Sequence, residues 1–390
     1  MTKFLDTVLR EIRSNRPKVP EALKYTIRTE KDPNYTFACL GFRTRGCRFN
    51  IAGGCTMCDY WISDPLTSDQ IVANVEEALQ TLDFEPDEML VNVSGSFFDD
   101  LEVPKDARTK IYSLFSRFKK TVFIFETHAT TITDNNIIDC INHLGNERIR
   151  IEMGLESSNP WVLEYCVNKP LKLAHVKTAI RRLRKYNVPS IVNILIGIPF
   201  LSPYEIVIDT MSSVQWAFEN GANRCVLFTM NSKPYTLTHW MGENDLYNIP
   251  PLWALIDVLC ELDPELLPRI GIAWHRTRPQ YHPLYMIDNV GPNTCPNCYT
   301  QVMQLIDDFL LQRDRTVTLR KLMTIKCECR DIWQNQRLVV HTPLRERIVT
   351  NYEFIGKKVL GNKWWSQHGP SVIDQVKDVD EIDQRISRVI

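Results

Sequence analysis

From residue 37 onward the chain alternates between short apolar runs and longer segments of helical spacing, and this alternation constrains the fold more than any other feature. Runs of strand length fall at 37–42, 89–94, 121–127, 149–155, 190–198, 225–230 and, less sharply, 269–274. Between them lie Ser68–Leu82, Lys105–Lys119, Asp134–Leu144, Leu173–Tyr186, Pro203–Glu219 and Pro251–Leu262, each patterned as a helix. Ser68 and Ser202 read as N-caps of two of these. Strands that alternate with helices pair in parallel, because a parallel pair needs a long crossover and a helix supplies it. Periodicity leaves a barrel and a doubly wound sheet both open. Either architecture puts its chemistry at the carboxyl ends of the strands.

Those ends carry the unusual residues. The first run leads into a loop holding Cys47, Cys55 and Cys58, and the second ends in Ser94-Gly95-Ser96-Phe97-Phe98-Asp99. The third ends in Glu126-Thr127-His128, the fourth carries Glu152 and Glu156-Ser157-Ser158, and the fifth carries Asn193 and Gly197. Polar residues repeated along one rim predict a single site. Glycines 46, 53 and 54 let the first loop curl without steric cost, so it can point three sulfurs at one centre. Three thiolates are one short of a closed tetrahedral site, and the open position is what a catalytic metal or cluster needs. The alternative is a zinc site completed by a distant His or Asp.

Composition narrows the remaining classes. Hydrophobic residues are 44% and charged residues 24% of the 390, which excludes general disorder. The longest nearly apolar stretch, Val188–Phe200, is broken by Pro189, Ser190, Asn193 and Pro199 and falls short of the roughly 20 residues that span a bilayer. Asp6 and Glu11 follow close on Met1 with no apolar leader, so the expectation is a cytoplasmic protein without a membrane anchor. Phe4, Leu5, Val8, Leu9 and Ile12 predict a packed amphipathic helix. Cys39, Cys140, Cys166, Cys225 and Cys260 lie singly in apolar stretches and read as packing residues. Cys295, Cys298, Cys327 and Cys329 form two tight pairs, the composition of a closed zinc (Zn2+) site, with a second iron–sulfur cluster as the competitor because C-x-C is less usual for zinc.

Gly54-Cys55-Thr56-Met57-Cys58-Asp59-Tyr60-Trp61 and Ser94-Gly95-Ser96-Phe97 resemble the radical S-adenosylmethionine (SAM) superfamily in its MiaB/NifB-like branch, and within it the archaeosine-biosynthesis radical SAM proteins. The resemblance covers residues 37 to about 280. Most of the superfamily spaces its cysteines C-x3-C-x2-C, whereas seven residues separate Cys47 from Cys55 here. It implies that Cys47, Cys55 and Cys58 ligate a [4Fe-4S] cluster whose fourth iron is chelated by SAM, and that reductive cleavage of SAM yields a hydrogen-abstracting 5′-deoxyadenosyl radical. Carried over by position, Ser94, Gly95 and Ser96 receive the methionine amino group, although relatives often have Gly-Gly-Glu there. Glu156, assisted by Ser157, lies near the ribose. Met57 or Tyr60 lies beside adenine, and Gly197 backs it or merely packs the strand. Glu126 and His128 are the candidate catalytic residues, with a structural histidine as the alternative for His128.

The resulting expectation is a partial (β/α)6 radical SAM barrel over 37–283, preceded by a helical extension over 1–36. A Cys-rich metal-binding element over 284–335 and a C-terminal extension over 336–390 follow it. The resemblance implies a C–N lyase acting on a lysine-modified deazaguanine in tRNA, served by an electron donor such as ferredoxin or flavodoxin and by a lysine-transferring partner enzyme. Net charge is −1, so any grip on tRNA must be local. Arg313, Arg315, Arg320, Lys321, Lys326 and Arg330 could supply it, with Tyr299 or Trp333 stacking on a base and Arg43, Arg45 and Arg48 extending the track. A solvated helix face is the alternative reading of that bias. Two further functional readings stand beside the lyase: a radical SAM enzyme acting on a small molecule or another modified base, and a noncatalytic metal-bound RNA-binding protein.

Overall fold

The computed structural model describes residues 3–32, 35–60, 62–277, 289–312 and 314–377; Trp61, Arg313 and the acidic tail fall outside the described residues. Eight strands form one curled half-barrel sheet in sequence order: β1 (Tyr25–Asp32), β2 (Tyr35–Phe42), β3 (Glu88–Asn92), β4 (Val122–Glu126), β5 (Ile149–Glu156), β6 (Ser190–Ile196), β7 (Arg224–Thr229) and β8 (Ile270–Ala273). From β2 to β8 every neighbouring pair is parallel. Six crossovers connect them, each with a helix: Ser68–Gln80, Lys105–Phe115, Asp134–Leu144, Leu173–Lys185, Pro203–Glu219 and Leu252–Glu261. Strands of this kind are covered on both faces, and β6 is buried along its whole length.

The helix starts show how local chemistry sets the boundaries. Ser202 caps the Pro203–Glu219 helix in a reciprocal box with Glu205, which satisfies two otherwise orphaned backbone N–H groups. Ser68 is not a cap. Thr67 accepts from the Gln70 backbone and Gln70 answers to Thr67, so Ser68 is the first helical residue.

The first 36 residues hold more than a helix. Phe4–Ile12 is helical and buries Phe4, Leu5, Val8 and Leu9, but β1 follows and pairs antiparallel with β2 in the register Asp32↔Tyr35. The outer half of β1 is polar and exposed, as suits a sheet edge that must resist pairing with another chain.

Two cores result. One lies between the sheet and its helices and extends to Cys298, Val302, Ile306, Phe309, Leu322 and Trp333 of the helices Pro296–Leu311, Arg315–Met323 and Glu328–Leu338. The other joins the N-terminal helix to the helices Leu344–Ile355 and Asn362–Lys377 through Phe4, Leu9, Tyr352 and Trp365, with Cys55 and Met57 packed against it. The N-terminal segment and the last two helices thus support the cysteine loop from behind. Among the described residues no helix is long and apolar enough to cross a membrane.

Candidate active site

The loop after β2 makes a short helical turn, Arg48–Ala52, between Cys47 and Cys55. Gly46, Gly53 and Gly54 all adopt positive φ, a backbone region that favours glycine. Arg13 fixes this loop by donating to Asn50 Oδ1 and to the carbonyls of Gly53, Cys55 (3.2 Å), Cys58 (2.7 Å) and Tyr235 (3.1 Å). Arg16 adds contacts to the carbonyls of Asp59 and Tyr60. Between the last two cysteines, Thr56 donates through N to Val167 O (3.0 Å) and through Oγ1 to Cys166 O (2.8 Å).

Cys47, Cys55 and Cys58 line one cavity with Ser94 and Gly95 after β3, Glu126 and His128 after β4, and Glu152, Gly154 and Glu156 of β5. Met57 and Tyr60 line it too. The cavity thus gathers ten of the thirteen positions proposed for the first centre and its ligand. Ser96, Ser157 and Gly197 stand apart from its lining. Ser96 Oγ is engaged by Thr127 Oγ1 (2.6 Å) and Thr131 Oγ1 (2.8 Å), and it accepts from His128 N. Ser157 Oγ donates to Asp209 Oδ1 (2.8 Å). Gly197 faces Pro250 and Met230, while its carbonyl accepts from Tyr247 Oη (2.7 Å), so close packing accounts for it. These three support the wall of the site from behind.

Gly95 is where backbone meets backbone. A Cβ there would lie 2.7 Å from Cys47 Cα and 2.6 Å from Glu102 Oε2, so only glycine lets the β3 loop touch the cysteine loop. Glu102 accepts from Ser96 N (2.7 Å) and Thr44 Oγ1 (2.9 Å), and burial pushes its carboxyl up to about 7.

The floor of the cavity is acidic and dry. Glu126 and Glu152 are register partners on β4 and β5. Burial first, then the neighbouring Glu152 and Glu156, push the Glu126 carboxyl well above the ordinary range. Burial also raises Glu152, although Asn193 Nδ2 donates to it at 2.8 Å. A register shift between Gly154 and Glu156 leaves Glu156 with φ 68°, a conformation that a non-glycine residue holds only under constraint. The constraint is Lys169, whose Nζ donates to Glu156 Oε1 (2.8 Å) and Gly154 O (2.7 Å). Burial works against the Lys169 charge, but Glu156 and the nearby thiols outweigh it and keep the amine protonated.

His128 is neutral in this setting, because burial lowers its pKa to about 3. Its ring stacks on Phe49 (4.4 Å) and its Nε2 lies 3.6 Å from Cys47 Sγ. Burial likewise pushes the Cys47 thiol up to about 12 and raises Cys55 and Cys58. Three thiols so placed become thiolates only when a cation replaces their protons.

Lys169, Phe228, Thr229, Asn231, Lys233 and Trp274 also line the cavity and were not singled out by the sequence pattern. Lys233 Nζ lies over the Trp274 ring at 4.5 Å and 3.4 Å from Asp59 Oδ1. Five buried polar atoms of lining residues have no partner among the described residues: Ser94 Oγ, His128 Nδ1, Asn193 Oδ1, Thr229 Oγ1 and Asn231 Oδ1. Each unmet group of this kind costs about 1–3 kcal/mol unless something polar fills the space.

Residues 42–208 match the model of the radical SAM superfamily. The chain carries a radical SAM domain. The superfamily implies a [4Fe-4S] cluster and SAM, and the matched stretch begins at the last residue of β2 and contains all three loop cysteines. Archaeosine synthase subunit beta of Methanosarcina acetivorans is 28% identical over 303 residues, covering 75% of this chain and 82% of that one. An uncharacterized protein of Methanocaldococcus jannaschii is 25% identical over 302 residues, covering 75% and 79%. Among solved structures, a radical SAM methyltransferase, TsrM, from Kitasatospora setae, with cobalamin and a [4Fe-4S] cluster bound, superposes with a TM-score of 0.43 at 12% identity. That match takes in 60% of this chain and about half (54%) of the neighbour.

The cavity fits the groups the superfamily implies. The cysteine loop offers three sulfurs to a cluster, and the five unmet polar atoms offer hydrogen bonds to an adenosyl ligand. The Glu126, Glu152 and Glu156 floor faces whatever positive charge such a ligand brings.

Part of the predicted basic track is used inside the fold. Arg315 donates to the carbonyls of Leu267 and Ile270, and Arg330 pairs with Asp257 (3.1 Å). Trp333 is buried, with Nε1 on Asp257 Oδ2 (2.8 Å), so it is not available to stack on a base. Tyr299 is half-buried against the main core, and Arg48 pairs with Asp99. Arg320, Lys321 and Lys326 remain exposed.

Proposed function

We propose that this chain is a radical SAM enzyme that acts on a modified base of tRNA, cleaving a C–N bond of a lysine-modified deazaguanine in the manner of archaeosine formation. The observation that carries the enzymatic part is the cavity itself, in which three cysteines and five residues with an unmet polar atom line one space at the carboxyl ends of β2 to β8. The similarity to archaeosine synthase subunit beta over three quarters of the chain supports the substrate class.

When bound, the cluster and SAM supply a carbon-centred radical that abstracts hydrogen from an unactivated carbon. The chain's own residues bind, orient and exclude water. Cys47, Cys55 and Cys58 hold the cluster, Ser94 and the Gly95 backbone receive the methionine end, and Glu156, fixed by Lys169, meets the ribose. Asn193, Thr229 and Asn231 contribute the remaining polar contacts. Glu152 and Glu156 face the space that a cationic amine of the substrate would enter, and a protonated Glu126 has a proton to hand to a leaving nitrogen. His128, neutral, stacks on Phe49 with its Nε2 3.6 Å from Cys47 Sγ and so helps to place the sulfur.

The use of Arg315, Arg330 and Trp333 within the fold favours a second reading, in which the same site acts on a small molecule. Anaerobic turnover separates the two. The tRNA reading expects 5′-deoxyadenosine release that rises when lysine-modified tRNA is added, with the modified nucleoside changed in mass. Release that ignores tRNA, together with filter binding unaffected by Arg320→Ala and Lys321→Ala, would favour the small-molecule reading.

A further inference from the structure

The four later cysteines meet at one point. Cys295 Sγ lies 3.7 Å from Cys298 Sγ and 3.2 Å from Cys327 Sγ, Cys298 Sγ lies 3.5 Å from Cys329 Sγ, and Cys327 and Cys329 are 3.6 Å apart. All four sulfurs lie within 4.8 Å of one another. A single ion bonded to sulfur at about 2.3 Å in a regular tetrahedron sets its ligands about 3.8 Å apart. The observed spacings centre just below that value. A four-iron cube puts each ligating sulfur on a different iron and holds the four well beyond contact distance, so sulfurs already in contact leave no room for one. Disulfides require about 2.05 Å, and none of these pairs approaches it.

The surroundings are built for negative charge. Cys295 is the N-cap of the Pro296–Leu311 helix and Cys327 the N-cap of the Glu328–Leu338 helix, so two positive helix ends converge on the sulfurs. Trp253 Nε1, from the barrel helix Leu252–Glu261, lies 3.1 Å from Cys329 Sγ and donates to it. Four thiolates around a divalent ion carry a net charge of about −2, which these dipoles and the indole N–H offset. The same barrel helix supplies Asp257, which receives Arg330, Trp333 and Arg337 from the Glu328–Leu338 helix.

We propose that Cys295, Cys298, Cys327 and Cys329 hold one Zn2+ ion in a closed tetrahedral site that clips the helices Pro296–Leu311 and Glu328–Leu338 to the flank of the barrel. The site has no open ligand position, and its role is to fasten. It stands independently of the reaction assigned to the radical SAM cavity.

Metal analysis and zinc-edge X-ray absorption of the full-length protein test this directly. The expected result is about one zinc per chain, four sulfurs at about 2.3 Å and no second metal in range. That zinc persists in Cys58→Ser, which loses iron, and disappears in the Cys298→Ser, Cys329→Ser double variant. Should the double variant fail to fold, the absorption spectrum of the unaltered protein decides alone. Zinc absent, with the four thiols oxidised or with iron in their place, overturns the proposal, as does zinc that the double variant retains.

Discussion

Arg13 is the residue on which the cysteine loop most depends, because one planar guanidinium reaches Asn50 and the carbonyls of Gly53, Cys55, Cys58 and Tyr235 at once. A lysine ammonium cannot span that fork. Arg13→Lys therefore lowers the iron bound after anaerobic reconstitution at least about twofold and costs about 1–3 kcal/mol of stability, since buried carbonyls lose their donors; iron assay and thermal melting measure both, and full iron loading would contradict the assignment. Glu126→Gln tests the acidic floor. It leaves iron content unchanged and, by removing the proton held for the leaving nitrogen, slows product formation about a hundredfold in anaerobic single-turnover assays; full turnover in the variant would contradict that role. A third residue-scale test is Asp209, whose carboxyl burial raises to about 7 and whose Oδ2 has no partner. The folded state then holds a proton that the unfolded chain releases, so stability is highest below about pH 4 to 5 on this account and is lost as pH rises toward 7. Asp209→Asn keeps the acceptor for Ser157, flattens that dependence and raises stability at pH 8 by on the order of 1 kcal/mol; an unchanged denaturation profile from pH 5 to 8 would contradict it.

At the scale of elements, the parallel strands and their helices were legible because strands covered on both faces read as continuous apolar runs. β6, buried throughout, is the clearest instance, and Pro203–Glu219 with its Ser202 cap is the clearest helix. β1 was hidden because Tyr25–Asp32 is an edge strand whose charges face water, so its sequence looks like a loop. Of the site, the cysteines, Ser94, Gly95, Glu126, His128 and Glu156 were legible as polar residues ending apolar runs. Lys169 was not, since its meaning comes from Glu156 thirteen positions earlier and a strained backbone that no local pattern announces. Trp333 looked free to stack because its partner, Asp257, lies 76 residues away. The N-terminal helix carries its own prediction. Leu9, fully buried between the cysteine loop and the C-terminal helices, costs about 2–5 kcal/mol when cut to alanine, and urea titration reads the loss.

For the whole molecule, the half-barrel supplies a rim, and the helices Phe4–Ile12, Leu344–Ile355 and Asn362–Lys377 pack behind the loop on that rim that bears three cysteines. A second group of cysteines, far along the chain, brings its four sulfurs together among the outer helices, apart from the cavity. The radical SAM assignment stands on the first of these arrangements. Its most direct test is anaerobic reconstitution of the full chain with iron and sulfide, followed by reduction in the presence of SAM. The account predicts about four irons lost on Cys58→Ser, a reduced-state EPR signal, and release of 5′-deoxyadenosine that the variant abolishes; intact SAM under strong reductant, or product formation that survives the substitution, would contradict it.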